Sequence, residues 1–112
     1  MDCLFCRIVA GEIPARTLYE DDQVLAFHDI GPQAPVHFLV IPKRHIPRLD
    51  QLTEDDRALA GHILYTAQRL AMQEGCAEGF RLVMNCNELG GQTVHHIHMH
   101  VLGQRQLHWP PG

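Results

Sequence analysis

The sequence predicts an α+β fold: one domain over residues 1–112, with an antiparallel sheet of about five strands, a short N-terminal helix and one long helix. Three observations predict it. Strand-like runs follow one another in hairpin order, helical patterns fall only at the start and middle of the chain, and the strand–helix–strand alternation of a parallel sheet is missing. With 112 residues, 46% of them hydrophobic, the chain has the length of one domain and enough apolar surface for one core.

Residues 3–9 read as the short helix, with Leu4, Phe5, Ile8 and Val9 apolar and Gly11 and Pro14 stopping it. Residues 17–20 and 24–29 read as strands, and the Asp21-Asp22 pair between them suits a tight turn. Gly31-Pro32-Gln33-Ala34-Pro35 is a loop by its prolines, after which residues 37–41 form a buried strand ended by Pro42. Thr53 is a natural N-cap, and Glu54, Asp55 and Asp56 put negative charge where a helix dipole favours it. Leu59, Ile63, Ala67, Leu70 and Ala71 then recur along one helical face until Gly75 ends the long helix. Residues 80–85 and 94–103 supply the last two strands, separated by Glu88-Leu89-Gly90-Gly91, whose glycines let a ligand come close to the backbone. Trp109-Pro110-Pro111 cannot extend the sheet, because proline has no amide to donate.

Composition removes several functions. A net charge of −4, with no basic cluster beyond Lys43-Arg44, gives no footprint for nucleic acid. Apolar stretches such as residues 38–41 fall far short of the ~20 residues that span a bilayer, so no membrane segment is expected. Met1-Asp2-Cys3 lacks the basic start and apolar run of a secretion signal, so the expected location is cytoplasmic. Four cysteines in such a reducing compartment argue against a disulfide framework, and Cys76 and Cys86 read as ordinary thiols.

Histidine is the departure: nine residues, against four Phe, two Tyr and one Trp. His96, His98 and His100 alternate with Ile97, Met99 and Val101, so a strand would carry three imidazoles on one face. Their attachment points would lie ~7 Å apart, close enough to share one phosphate. In a chain of this composition such spacing is expected by chance on the order of 0.06 times. Two plainer readings stand beside the chemical one, a polar outer face of a half-buried strand and a metal-binding tract. Upstream, Gly91, Gln92 and Thr93 offer backbone amides and a hydroxyl at the mouth of the strand, as an anion site requires. Neutral imidazole is a good nucleophile toward phosphorus near pH 7, whereas serine would need a separate base.

The run Gly91-Gln92-Thr93-Val94-His95-His96-Ile97-His98-Met99-His100-Val101-Leu102 resembles the signature of the histidine triad (HIT) family. The likeness extends to Ala26-Phe27-His28-Asp29-Ile30, Pro32-Gln33-Ala34-Pro35, His37-Phe38-Leu39-Val40-Ile41-Pro42-Lys43 and His108-Trp109-Pro110-Pro111-Gly112, which are similar to the Hint branch. Thr93 stands where serine is common and His95 where an aromatic is usual; the first keeps a hydroxyl and the second adds a titratable group.

The resemblance implies a homodimeric HIT-like hydrolase acting on purine nucleoside 5′-phosphoramidates, AMP or GMP derivatives, by way of a nucleotidyl-imidazole on His98. It implies that His100 and Thr93 serve the phosphate, with His37 relaying a proton or fixing a neighbouring tautomer. Asp29 would take the ribose hydroxyls, Ile30 the base, and Asn85 the sugar or phosphate, while Trp109 would wall the partner protomer's site. Asp29 can equally be a turn residue before Gly31, Asn85 a local cap, and His37 a satisfied core histidine. Cys3 and Cys6, completed by His45 and His96, would form a closed, structural zinc site; the competing reading is two core cysteines one helical turn apart. A dinucleoside polyphosphate hydrolase, a nucleotide-binding regulator with weak catalysis and a metal-binding scaffold remain alternatives, and the Trp-Pro-Pro tail favours the phosphoramidase over the first.

Overall fold

A computed structural model describes residues 2–112. Along the chain come α1 (Leu4–Val9), β1 (Thr17–Glu20), β2 (Val24–His28), β3 (Val36–Pro42), α2 (Arg57–Gln73), β4 (Phe80–Val83) and β5 (Met99–Gly103), with 3₁₀ turns at Leu49–Gln51 and Glu54–Asp56 before α2. Among the described residues the strands form one sheet in the order β1-β2-β3-β5-β4, every pairing antiparallel. The expected α+β architecture is the one observed.

β3 is the most apolar run in the chain and takes the centre of the sheet, buried on both faces. Its alternation sorts the core into two layers. Phe38 and Val40 pack with Val24, Ala26 and Val101 against Ile63, Ala67 and Leu70 of α2. Leu39 and Ile41 point the other way, into Leu25, Phe27, Cys3 and Phe5 under α1. Leu39 pairs directly with His100, so the histidine side of the sheet is the α1 side. α1 has six residues. Isolated helices shorter than ~12–15 residues are marginal in water, so this one depends on what it is fastened to.

Local chemistry adjusts the expected boundaries. Asp21 makes the β1–β2 turn by accepting the Gln23 and Val24 amides, and its other oxygen, bonded by the Tyr19 hydroxyl at 2.9 Å, reaches His62 of α2 at 2.7 Å. α2 begins at Arg57 and not at residue 54, because the Thr53 amide bonds the Asp56 carboxylate and winds the entry as 3₁₀. β2 ends at His28, although the Asp29 amide still donates to the His37 carbonyl. β4 stops at Val83 and not at residue 85.

The largest correction concerns the histidine strand, which starts at Met99 and not at residue 94, so only His100 of the three lies in regular β structure. The ladder with β3 ends at the Val40–Met99 pair. Beyond it Pro42 has no amide to give, and its carbonyl accepts instead from the His96 ring at 2.8 Å. The Ile97 amide turns to the Ile46 carbonyl, 2.8 Å away, which carries residues 96–98 off the sheet edge toward the loop after β3.

Gly103 closes β5, opposite both Val36 and Phe80. A Cβ at this position would overlap the Cys76 sulfur. Gly103→Ala is therefore expected to lower stability by ~1–3 kcal/mol through overpacking. Urea unfolding should show the loss, and part of it should return when Cys76→Ala makes room.

Candidate functional site

The three histidines meet through their rings although they share no strand. Phe5 contacts His96 and His98 edge to face, with centroids 5.9 and 5.1 Å away; His98 lies 5.0 Å from His100, and His100 lies 5.2 Å from His37. His37, His96 and His98 are buried. Hydrogen-bond partners assign the tautomer of each ring. His98 Nδ1 is 2.7 Å from the His96 carbonyl, which can only accept, so the proton sits on Nδ1 and Nε2 keeps its lone pair. The Gln33 amide donates to His37 Nδ1 at 3.0 Å, which places the His37 proton on Nε2. That nitrogen faces His100 Nδ1 at 2.9 Å, so His100 accepts there and carries its own proton on Nε2. One bare imidazole nitrogen and one imidazole N–H result on adjacent rings.

Burial keeps these rings neutral. It pushes His98 below the ordinary histidine range against the opposing pull of the His96 carbonyl and Asp29, and it lowers His37 against Asp29. His100 is pushed down to about 4, first by burial and then by the neighbouring His98 and His37. The site thus enters neutral pH with lone pairs and N–H donors, not imidazolium ions.

Asp29 stands 3.5 Å from His37 Nε2 through one oxygen, while the other accepts the Gly31 amide at 2.8 Å. It is a turn residue and a member of the site at once. Asp29, His37 and His100 place their ligand atoms close enough for a metal ion. The Gln33 amide argues otherwise, because it leaves a proton and not a lone pair on His37 Nε2. Ile30, beside Asp29, is fully exposed at 101%. Asn85 lies two residues past β4 and is half-buried. Trp109 projects into solvent at 83% exposure.

The expected anion loop is built differently. The Gly91 amide donates to the Glu88 carbonyl and the Gln92 amide to the Asn87 carbonyl, so both donors assigned to phosphate are consumed in closing the turn. The buried Gln92 side chain ties that loop down by accepting the Asn87 amide and donating to the Pro47 and Val94 carbonyls. Thr93 is exposed and lines a shallow cleft with Cys3, His45 and His95, at the cysteine end of the histidine run.

That end holds the second cluster. Cys3, Cys6, His45 and His96 bring their ligand atoms together. His96 gives its Nε2 proton to Pro42, which turns the Nδ1 lone pair inward. Nδ1 lies 3.4 Å from Cys3 Sγ, 3.6 Å from Cys6 Sγ and 3.3 Å from His45 Nδ1, and Cys6 Sγ lies 3.3 Å from His45 Nδ1. Tetrahedral zinc with S and N bonds of ~2.3 and ~2.0 Å needs donors roughly 3.3–3.8 Å apart, so the set fits that ion. Burial and the adjacent Cys3 sulfur push the Cys6 thiol up, the penalty that a dication between the sulfurs removes. The Cys3 sulfur also accepts the Cys6 amide as the N-cap of α1.

Phe5, the Gln33 amide and the Pro42 and His96 carbonyls were invisible as site groups in the sequence. Phe5 alone left a signal, its place between two cysteines on a helix.

A central antiparallel sheet with linked imidazoles along one face defines the class, an α+β histidine-cluster protein. The chain belongs to the HIT domain family, whose model matches residues 10–107. It is 54% identical over 111 residues to an uncharacterized HIT-like protein of Synechococcus elongatus, covering 99% of this chain and 97% of the relative. A HIT family hydrolase from Legionella pneumophila Philadelphia 1 superposes with a TM-score of 0.97 at 54% identity, covering 99% of this chain and all of that one. A histidine triad protein from Clostridium difficile gives 0.91 at 44% identity, over 96% and 94% of the two chains.

Because His100 and His37 are neutral when folded, the unfolded chain takes up protons that the native one refuses as the pH falls below ~6.5. The sign is a loss of stability on acidification, continuing for His100 to about 4. Urea midpoints measured across this window should fall with pH, and His100→Asn should flatten the slope.

Proposed function

We propose that this protein is a nucleotide-binding hydrolase that cleaves the P–N bond of purine nucleoside 5′-phosphoramidates through a covalent intermediate on His98. The observation that carries the reading is the 2.7 Å contact of His98 Nδ1 with the His96 carbonyl, which leaves Nε2 unprotonated, with its lone pair free to act as a nucleophile. The Nε2 lone pair forms a bond to phosphorus, and the P–N bond breaks with its electrons passing to the amine, which leaves after taking a proton. Water then attacks the same phosphorus, its oxygen replaces His98, and the nucleoside monophosphate departs.

His100 Nε2–H faces the growing charge on a phosphate oxygen as a donor set in advance, with His37 and the Gln33 amide holding its tautomer. Asp29 offers carboxylate oxygen to ribose hydroxyls, and exposed Ile30 offers apolar surface to a purine. Asn85, half-buried two residues past β4, completes the nucleotide contacts, and exposed Thr93 borders the cysteine cluster instead. The exposed Trp109 supports a homodimer in which each protomer's tail walls the other's site. Zinc on Cys3, Cys6, His45 and His96 would supply cross-linking and no catalysis, since four protein ligands leave no open position.

His98→Ala and His98→Asn should each abolish turnover of an adenosine phosphoramidate while AMP binding, followed by calorimetry, persists. Turnover surviving either change rejects the nucleophile. Quenched during turnover, the wild-type protein should carry its nucleotidyl adduct on His98 in peptide mass spectra, and parallel rates with dinucleoside polyphosphates decide the substrate class.

Elemental analysis of purified protein should find about one zinc per chain, and a chelator should lower the melting temperature. A folded protein that is purified without zinc and takes up none when Zn²⁺ is added would reject the zinc site.

A further inference from the structure

We propose that Phe5 is a positioning residue for the His98 ring, and that metal occupancy of the Cys3–Cys6–His45–His96 cluster controls the activity of the histidine site by holding Phe5 and the His96 carbonyl in place. The inference rests on the reading of His98 as nucleophile and adds a means of regulating it. Beside the His100 ring, 5.0 Å away, two contacts set the direction of the His98 ring: the bond from Nδ1–H to the His96 carbonyl, 2.7 Å, and the perpendicular face-edge contact with Phe5, 5.1 Å at 88°. Both come from the metal cluster's own residues or from between them. His96 gives its ring to the cluster and its carbonyl to His98, and Phe5 lies between Cys3 and Cys6 in the chain.

Phe5 is 5% exposed and rides on a helix of six residues, which has no stability of its own. Its axial tether is the Cys3 sulfur, simultaneously helix cap and metal donor. Release of the ion leaves the two thiols and two imidazoles to hydrogen bonds and α1 to its apolar packing on Leu25, Phe27, Leu39 and Ile41, and α1 loses the cross-link that presses Phe5 onto His98. The other catalytic ring touches His98 at 5.0 Å but keeps its own hydrogen bonds through this change, since His100 takes its orientation from His37 and the Gln33 amide. The device therefore disorders the attacking ring while leaving the phosphate donor set.

The test uses full-length protein labelled with ¹⁵N-histidine, loaded with Zn²⁺ or stripped by a chelator, together with Phe5→Leu in the zinc-loaded form. Stripping should convert the single Nδ1–H tautomer pattern of His98 into an averaged one, with His37 and His100 unchanged. For an adenosine phosphoramidate, kcat should fall on the order of tenfold with KM held, and Zn²⁺ should restore both signals. Phe5→Leu should keep its zinc and its circular dichroism yet reproduce the His98 change and the loss in kcat. A His98 signal and kcat that ignore both treatments overturn the proposal, as does a protein that binds no Zn²⁺. Should stripping unfold the chain, zinc-loaded Phe5→Leu decides alone. If the His98 tautomer responds while turnover does not, the coupling stands and the nucleophile assignment falls, so the two failures are told apart.

Discussion

The bond from the His96 ring to the Pro42 carbonyl organises the histidine face. It uses the acceptor that a proline keeps at the end of β3, where the β3–β5 ladder has stopped at Met99, one residue short of His98. It fixes which nitrogen of His96 is bare, and that nitrogen turns to the two sulfurs. With the ring so engaged, the backbone of the same residue is left to receive His98. One donor–acceptor pair thus separates a metal-binding cluster from a reactive one and keeps them in register.

The electrostatics of the reactive cluster follow from depth more than from charge. Among the described residues, Asp29 is the carboxylate that acts on both His37 and His98, and burial outweighs it at each ring. A site made of neutral rings suits chemistry in which the lone pair itself is the reagent. It also explains why orientation is delegated to backbone groups, the Gln33 amide and the His96 carbonyl, whose protonation never changes with pH.

Much of this was legible in the sequence, for identifiable reasons. The apolar run through residues 37–41 and the stripe from Leu59 to Ala71 marked a buried strand and a helix covering the sheet, because burial on both faces of a strand, or on one face of a helix, demands apolar side chains there. The histidine spacing and the Cys3-Cys6 pair named the two clusters. What failed was the assumption that alternation implies a strand: His96 and His98 alternate correctly, yet the ladder ends at the Val40–Met99 pair, and Pro42 at the end of the adjacent strand has no amide to extend it. Gly91 and Gln92 were read as anion donors from their type, whereas turn closure claims both amides, and hydrogen-bond bookkeeping of that kind has no trace in composition. Phe5 was counted as core, which it is, but its neighbour across the contact could not be known before the chain was folded.

The two faces of the sheet are covered unequally: seventeen residues of α2 lie over one and six of α1 over the other. Cooperative stability is consequently concentrated on the side without chemistry. The thinly roofed side can breathe, exchanging amide protons and admitting solvent, without global unfolding. A protein built this way can remodel the roof of its reactive face over evolutionary time while the thick layer keeps the fold intact.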